Sequence, residues 1–318
     1  MKKTSVMMMA AIALLLSSCE KAVFNDVVDG GGGETTAKET KNFTFTVKGD
    51  FGGATFAEGI DVNNEQGNGE QAARPFGGGN ETTAYLQADG KDMTDLWVFD
   101  YIGGECVQQV HQVATDADFG KPQMSLAYGE HHVYFVASRG EGASVDADGH
   151  AITWSSVRDT FWQDYEVTVV STSNGNRAVT LDRVVTKLKI TPTDAIPAGC
   201  ASIEVTPDRW YYGIDYVIGA PVSAQKKATA VQVPVSYVGT TGQASVAMYS
   251  ISAASEWVTN VSVQAKDGDG AVIGNAIING APFRANRATE YSGTLFGSGG
   301  LVDVSLAAEW DTPKTGTW

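Results

Sequence analysis

Residues 96–101 read Leu96-Trp97-Val98-Phe99-Asp100-Tyr101, and this stretch decides the fold class. Its apolar side chains fall on odd and even positions alike, so both faces of a strand would be apolar. A run of this kind followed by Gly103-Gly104 predicts a central strand that is buried on both sides and ends in a turn. Residues 106–113 are the candidate hairpin partner of this strand.

Further strand signals occur along the whole chain. Residues 43–47 (Phe43-Thr44-Phe45-Thr46-Val47) alternate as a half-buried strand does, and residues 132–137 read as a second fully buried strand. Glycine is frequent, with 36 in 318 residues, and together with many Thr and Val residues it favours short strands and turns over long helices. Later strands are predicted at residues 202–206, 210–218, 231–237, 245–251, 257–265, 271–278 and 302–308. The sequence therefore predicts an all-β protein with two β-sandwich domains in tandem.

One helix is predicted. Trp154, Val157, Phe161 and Trp162 are spaced as one face of a helix would be, and Thr153 is placed to cap it. We expect a short amphipathic helix here, at the end of a sandwich, and at most this one in the protein.

The chain divides into four predicted segments. Residues 1–18 form a signal peptide, residues 19–41 a flexible tether, residues 42–176 the N-terminal β-sandwich and residues 177–318 the C-terminal β-sandwich. The boundary is placed after residues 171–176, which are small and polar and lack periodicity. A glycine-rich tether of this length has an end-to-end distance of roughly 25 Å.

The N-terminus has the organisation of a secretory signal. Lys2 and Lys3 precede the apolar residues 6–16, a stretch that is too short to span a bilayer. The segment Leu16-Ser17-Ser18-Cys19 that follows resembles the lipobox of bacterial lipoproteins. That resemblance implies lipidation of Cys19 and cleavage before it, with several acyl chains giving durable anchoring in the outer membrane. The alternative is an ordinary cleaved signal followed by an unrelated cysteine.

The charge of the chain excludes one class of partner. Beyond residue 18 the sequence holds 20 basic and 37 acidic residues, a formal charge of −17. Such a surface repels nucleic acids and anionic lipid head groups, so no nucleic-acid partner is expected.

Two further cysteines, Cys106 and Cys200, leave two possibilities open. An exported protein can form a disulfide, but these residues are far apart in sequence and lie in different predicted domains. Two separate thiols are favoured over a pair.

No pattern of catalytic or metal-binding residues is recognised. The four histidines, His111, His131, His132 and His150, lack metal-ligand spacing, and His131 and His132 point to opposite faces of a strand because they are adjacent. Two Asp-Gly segments, at residues 146–150 and 267–270, lack the glutamate that closes a calcium loop and are read as turns. Phosphate-binding and hydrolase motifs are absent as well. We expect a protein that is not an enzyme and has no cofactor and no metal site.

Three consecutive aromatic residues, Trp210, Tyr211 and Tyr212, are a candidate contact surface. They cannot all face one core from a single strand, so at least one member is expected to be exposed. Such a ring could contact a neighbouring subunit or a carbohydrate.

Four sequence phrases together resemble the fimbrillin superfamily of Bacteroidales pili, and most of all its minor, anchor-type subunits. These phrases lie at residues 94–101, 128–138, 181–188 and 286–296, and the resemblance spans about residues 40–310. It implies two transthyretin-like β-sandwiches, export as a lipoprotein and polymerisation by strand donation on the cell surface. Other fimbrial subunits would be its partners, and an adhesion target is not indicated.

The resemblance also implies a processing step that can be compared with this chain. In stalk subunits a trypsin-like protease cuts after an arginine in the loop that follows the first strand. The corresponding loop here holds one arginine, Arg74, and it is followed by Pro75, which disfavours such cleavage. We therefore expect the first strand and the lipid to be retained, as an anchor subunit requires.

The C-terminal segment is the candidate assembly strand. Val302, Val304, Leu306 and Ala308 would share one face of it. The strand could complete its own domain or be donated to a neighbour. The lipobox and the resemblance thus imply a lipid-anchored structural subunit of a surface fimbrium, an anchor or minor subunit that assembles by β-strand donation, with cell adhesion as the associated process. The alternative is a surface glycan-binding lipoprotein on a β-sandwich scaffold.

Overall fold

The fold is built almost entirely from strands. The computed structural model describes residues 39–49, 87–88, 91–146 and 150–297. The strands of the first half, which we define as the described residues up to Arg183, are β1 (Thr40–Gly49), β2 (Gln87–Ala88), β3 (Lys91–Asp92), β4 (Asp95–Ile102), β5 (Glu105–Val113), β6 (Gln123–Ala127), β7 (Gly129–Ser138), β8 (Ser144–Val145), β9 (Ala151–Thr153), β10 (Thr160–Val169) and β11 (Asn176–Arg183). Those of the second half are β12 (Val185–Pro192), β13 (Cys200–Pro207), β14 (Trp210–Asp215), β15 (Ala220–Gln225), β16 (Thr229–Gln232), β17 (Val246–Ile251), β18 (Trp257–Asp267), β19 (Val272–Phe283) and β20 (Arg287–Gly293). The predicted all-β class is confirmed.

The first half forms one sheet that folds back on itself. The order of its strands is β5-β4-β7-β10-β11-β1-β6. Strands β10 and β11 pair at only two positions, Phe161 with Arg183 and Trp162 with Asp182. Beyond that corner the two parts of the sheet separate, and side chains from both parts pack into one hydrophobic cluster, which we call the first core.

The second half has two packed sheets and a third that reaches back to the first half. Their strand orders are β17-β12-β20 and β16-β13-β18-β19, and side chains from both sheets pack into what we call the second core. The third sheet, β15-β14-β9-β8, joins strands from both halves, because β14 pairs with β9.

The apolar stretch at residues 96–101 lies in β4 and contributes side chains to both cores. Leu96 and Val98 belong to the first core, whereas Trp97, Phe99 and Tyr101 belong to the second. The prediction of a strand that is buried on both faces is confirmed, and its hairpin with β5 is present.

The predicted helix between Trp154 and Trp162 is wrong. Trp154 follows β9 and packs in the second core, whereas Phe161 lies in β10 and packs in the first core. The helical spacing arose because two strands supply apolar residues to two different cores. Among the described residues, the helical structure is a 3-10 turn at Val235–Tyr237, and no helix is long and apolar enough to span a membrane.

The predicted boundary lies a few residues from where the chain changes sheets. Strand β11 begins at Asn176 and pairs with β1 of the first half. Strand β12, which begins at Val185, pairs with β17 and β20 of the second half. The change of sheet therefore occurs at Val184, after β11, and the division into two domains stays a prediction.

A buried ion pair lies at this change of sheet. The guanidinium of Arg183 donates to both carboxylate oxygens of Asp159, from Nε at 2.8 Å and from Nη2 at 3.0 Å. Both side chains are fully buried. Arg183 Nη1 also donates to Oδ1 of Asn286 at 3.3 Å, and the guanidinium lies 5.0 Å from the ring centre of Phe161. The pair thus connects β11, the segment before β10 and the residue that precedes β20.

We expect Arg183→Met to lower the free energy of unfolding by about 3–5 kcal/mol, because it leaves the Asp159 carboxylate buried without its partner. Urea denaturation would measure this. The control Lys226→Ala removes an exposed pair, Lys226 with Asp208 at 2.7 Å, and should leave stability almost unchanged. Equal effects of the two substitutions would contradict the role given to the buried pair.

A second prediction concerns alkaline pH. Burial raises the pKa of Tyr291 to about 12 from the ordinary value of 10.0. Between these values the unfolded chain binds fewer protons than the native one, so stability falls as pH rises. We expect Tyr291→Phe to make this fall shallower by up to about 1.4 kcal/mol per pH unit. Urea denaturation at several pH values from neutral to alkaline would measure it, and an unchanged slope would contradict the prediction.

Candidate functional site

The first strand occupies the centre of a three-strand segment of the folded sheet. Strand β1 pairs with β11 in parallel on one side, from Thr44 with Asn176 to Gly49 with Leu181. On its other side it pairs antiparallel with β6, from Thr40 with Ala127 to Thr44 with Gln123. It is thus an interior strand, with hydrogen-bonded neighbours at both edges.

The alternation read from residues 43–47 places one row of side chains in the first core. Phe43, Phe45 and Val47 are at most 1% exposed. The ring of Phe45 packs edge-on against Phe135 at 5.2 Å and against Tyr165 at 6.0 Å, measured between ring centres. These contacts join β1 to the opposite part of the folded sheet, so β1 fills the space between the two layers.

Backbone hydrogen bonds extend the pairing of β1 beyond its two ladders. The amide of Thr44 donates to the carbonyl of Gly175 at 2.7 Å, and the amides of Phe45 and Val47 donate to Pro122 and Gly120 at 3.0 Å. Without β1, apolar side chains and backbone groups on both flanks would face an open cleft. Such a cleft is a template for an added strand.

Gly175 lies between β10 and β11, and it permits the chain there to approach β1 closely. A Cβ atom at Gly175 would lie 2.3 Å from the carbonyl oxygen of Asn42. The polar segment at residues 171–176, which the sequence suggested as a boundary, therefore leads the chain from one layer of the first half to the other and fixes the start of β1.

Strand β20, the last described strand, pairs in parallel with β12 and lies at the edge of its sheet among the described residues. After it, the amides of Leu295 and Phe296 donate to the carboxylate of Asp194, at 3.0 Å and 2.6 Å. This carboxylate fixes the direction in which the chain leaves β20. Beside it lies a small apolar recess between the two sheets of the second half.

The aromatic triplet is mostly buried, which corrects the candidate contact surface. Trp210 is 0% exposed and donates from Nε1 to the carbonyl of Tyr249 at 2.7 Å. Tyr212 is 6% exposed, on the same face of β14. Only Tyr211, on the opposite face, keeps partial exposure, and its ring lies edge-on to Trp257 at 5.3 Å with the Arg209 guanidinium 5.7 Å from its centre. Alternation along the strand explains the result: one member of three points away from the core.

The adjacent histidines His131 and His132 have different surroundings. His131 is buried, with Nδ1 2.7 Å from Oδ1 of Asp100, and its Nε2 donates to the carbonyl of Ala127 at 2.8 Å. Burial raises the pKa of Asp100, and the hydrogen bond from His131 opposes that shift. His132 points to the other face, as predicted, and there it meets Asp164 and Glu166. Sequence reasoning missed this group because its members come from two strands that only the sheet brings together.

The two cysteines are not bonded to each other. Cys106 is exposed on β5, and Cys200 is buried at the start of β13.

Three groups of predicted site residues lie outside the described residues. They are the lipidation site Cys19, the disfavoured cleavage site Arg74, and the candidate assembly strand with Val302, Val304, Leu306 and Ala308.

We expect Phe45→Ala to lower the free energy of unfolding by about 3–5 kcal/mol, because it leaves a cavity between the two layers of the first core. The control Asn42→Ala changes an exposed side chain of the same strand and should have little effect. Urea denaturation of both variants measures the difference. A small effect of Phe45→Ala would mean that the first core does not depend on β1.

Comparisons with known proteins find similarity at the level of structure. No family model and no curated protein matches the sequence. The structure is similar to a candidate adhesin from Bacteroides ovatus, with 10% identity, a TM-score of 0.48 and coverage of 88% of this chain and 99% of that chain. It is similar to a candidate polysaccharide-binding protein from Bacteroides thetaiotaomicron, with 8% identity, a TM-score of 0.49 and coverage of 86% and 97%. It is also similar to a fimbrial assembly protein from Parabacteroides distasonis, with 10% identity, a TM-score of 0.40 and coverage of 85% and 96%. At such low identities and TM-scores, the similarity says nothing about individual binding residues.

Proposed function

We propose that this chain is a non-enzymatic, lipid-anchored subunit of a cell-surface fimbrium. It is held in the outer membrane through Cys19 and assembles with other fimbrial subunits by β-strand donation. Its place is that of an anchor or minor subunit, which keeps its own first strand.

The observation that carries this proposal is the position of β1. The strand is interior, its apolar row is buried, and Phe45 reaches the opposite layer of the first core. A chain that keeps β1 leaves no cleft for an incoming strand in its first half. It would therefore end a polymer at that side instead of extending it.

The order of segments along the chain links β1 to the lipid. Cys19 precedes β1, and Arg74 follows it. A cut at Arg74 would release the lipid together with the first strand. Pro75 disfavours that cut, which supports a subunit that keeps both.

The alternative function, glycan binding, loses its main support. It rested on an exposed ring in the triplet at residues 210–212, and Trp210 is buried. Tyr211 and Trp257 are partly exposed, but the guanidinium of Arg209 lies 5.7 Å and 5.4 Å from their ring centres. This cation occupies a position near the rings that a stacked sugar would need.

Mass spectrometry of surface fibres sheared from the native host tests the proposal. We expect this chain in the fibre fraction, with acylated Cys19 at its N-terminus and an intact bond between Arg74 and Pro75. Cys19→Ser should abolish incorporation of labelled palmitate and release the chain from the membrane fraction. The matched control Cys106→Ser, which changes an exposed cysteine of β5, should retain both. A mature N-terminus at Pro75 would overturn the anchor assignment, and absence of the chain from fibres would overturn the fimbrial one.

A further inference from the structure

A histidine and two carboxylates meet on one face of the first half. Strands β7 and β10 pair antiparallel, with His132 opposite Glu166 and Tyr134 opposite Asp164. Side chains two positions apart point to the same face of a strand, so His132, Asp164 and Glu166 share a face. We propose that these three residues form a binding site for one divalent metal ion of the zinc class.

The distances are compatible with one ion. One ligand atom from each residue lies within 4.8 Å of the others, and Nδ1 of His132 is 3.1 Å from Oδ2 of Asp164. Metal–ligand bonds of about 2.0–2.2 Å place the ligand atoms of a tetrahedral site roughly 3.5 Å apart. The His132–Asp164 pair, at 3.1 Å, is close to that separation. The longer Glu166 side chain can adjust through its rotatable bonds to complete three ligands.

The donor set selects the class of metal. Imidazole nitrogen suits zinc, copper and nickel, whereas calcium and magnesium prefer oxygen ligands alone. Two carboxylates and a neutral imidazole carry a charge of about −2, which a divalent cation neutralises. The His132 side chain is 49% exposed and that of Asp164 is 26% exposed, so water can reach the ion as a fourth ligand.

The surroundings of the group favour a cation. The His132 ring lies nearly parallel to that of the buried Tyr134, with ring centres 6.0 Å apart. The two carboxylates concentrate negative charge at the site, and the two paired strands hold the ligands' backbones in a fixed register.

A similar surface pair elsewhere provides a matched control. Nε2 of His111 lies 2.8 Å from Oδ1 of Asp95, with side chains that are 46% and 21% exposed. Among the described residues, this pair has no third histidine, cysteine or carboxylate close enough to share an ion, whereas His132 has two carboxylates. His111 therefore has the exposure and the carboxylate partner of His132 without the second carboxylate.

Isothermal titration calorimetry with zinc chloride tests the proposal on the untagged full-length chain, purified in detergent and stripped of metal with a chelator. We expect one zinc ion per chain. His132→Ala should weaken the zinc affinity more than tenfold, because mutation of residues that only hydrogen-bond to a metal ligand already lowers metal affinity about 10–100-fold. His111→Ala should leave the affinity within about twofold of the parent. Absence of saturable binding, or binding that His132→Ala leaves unchanged, would overturn the site and reduce the cluster to a surface ion pair.

Two further measurements separate loss of a ligand from loss of the fold. Glu166→Gln keeps the size of the side chain and removes its charge, and it should also weaken zinc binding while the circular dichroism spectrum stays that of the parent. Cobalt(II) in place of zinc should give the visible absorption of a site with one nitrogen ligand, and His132→Ala should remove that absorption. Zinc binding that Glu166→Gln does not change, or calcium binding that competes equally with zinc, would overturn the assignment.

Discussion

The fold depends on how the chain passes from its first half to its second, and the buried pair of Asp159 and Arg183 controls that passage. Its two hydrogen bonds measure 2.8 and 3.0 Å in a place that water does not reach. There an unpaired charge is strongly unfavourable, so each partner requires the other. Asn286 accepts a third hydrogen bond from Arg183, and its backbone amide donates to Val185. The start of β12 and the start of β20 are thus positioned by one cation.

That constraint brings together two of the sequence phrases that resemble fimbrillins, although they lie far apart in the chain. One phrase contains Arg183 and the other begins at Asn286, and the two side chains are in contact. A third phrase forms β4, whose side chains alternate between the first and second cores. These three phrases therefore lie where the two halves of the described structure contact each other.

The position of the first strand, β1, depends on a different set of contacts. Strand β1 has the sequence of a half-buried strand, yet it lies between two neighbours and its Phe45 contacts the opposite layer. Its removal would leave unsatisfied backbone groups and apolar surface together, a state that only another strand can relieve. If Cys19 carries a lipid as proposed, a cut at Arg74 would remove the lipid and β1 together, and the proline after Arg74 disfavours that cut.

Much of the secondary structure followed from the sequence alone, because alternation along a strand is a local property. It determined the all-β class, the two-sided burial of Leu96-Trp97-Val98-Phe99-Asp100-Tyr101 and the opposite directions of His131 and His132.

Properties that depend on which strands become neighbours were decided by the tertiary structure. Two cores lie on opposite sides of β4 and β7. Trp154, which follows β9, packs in one core and Phe161 of β10 packs in the other, and their spacing in sequence resembled that of a helix. The sheet register brought His132 to Asp164, which is 32 residues away in the chain, and to Glu166. Trp210 is buried because its ring packs edge-on against Phe283 and its Nε1 donates to the carbonyl of Tyr249.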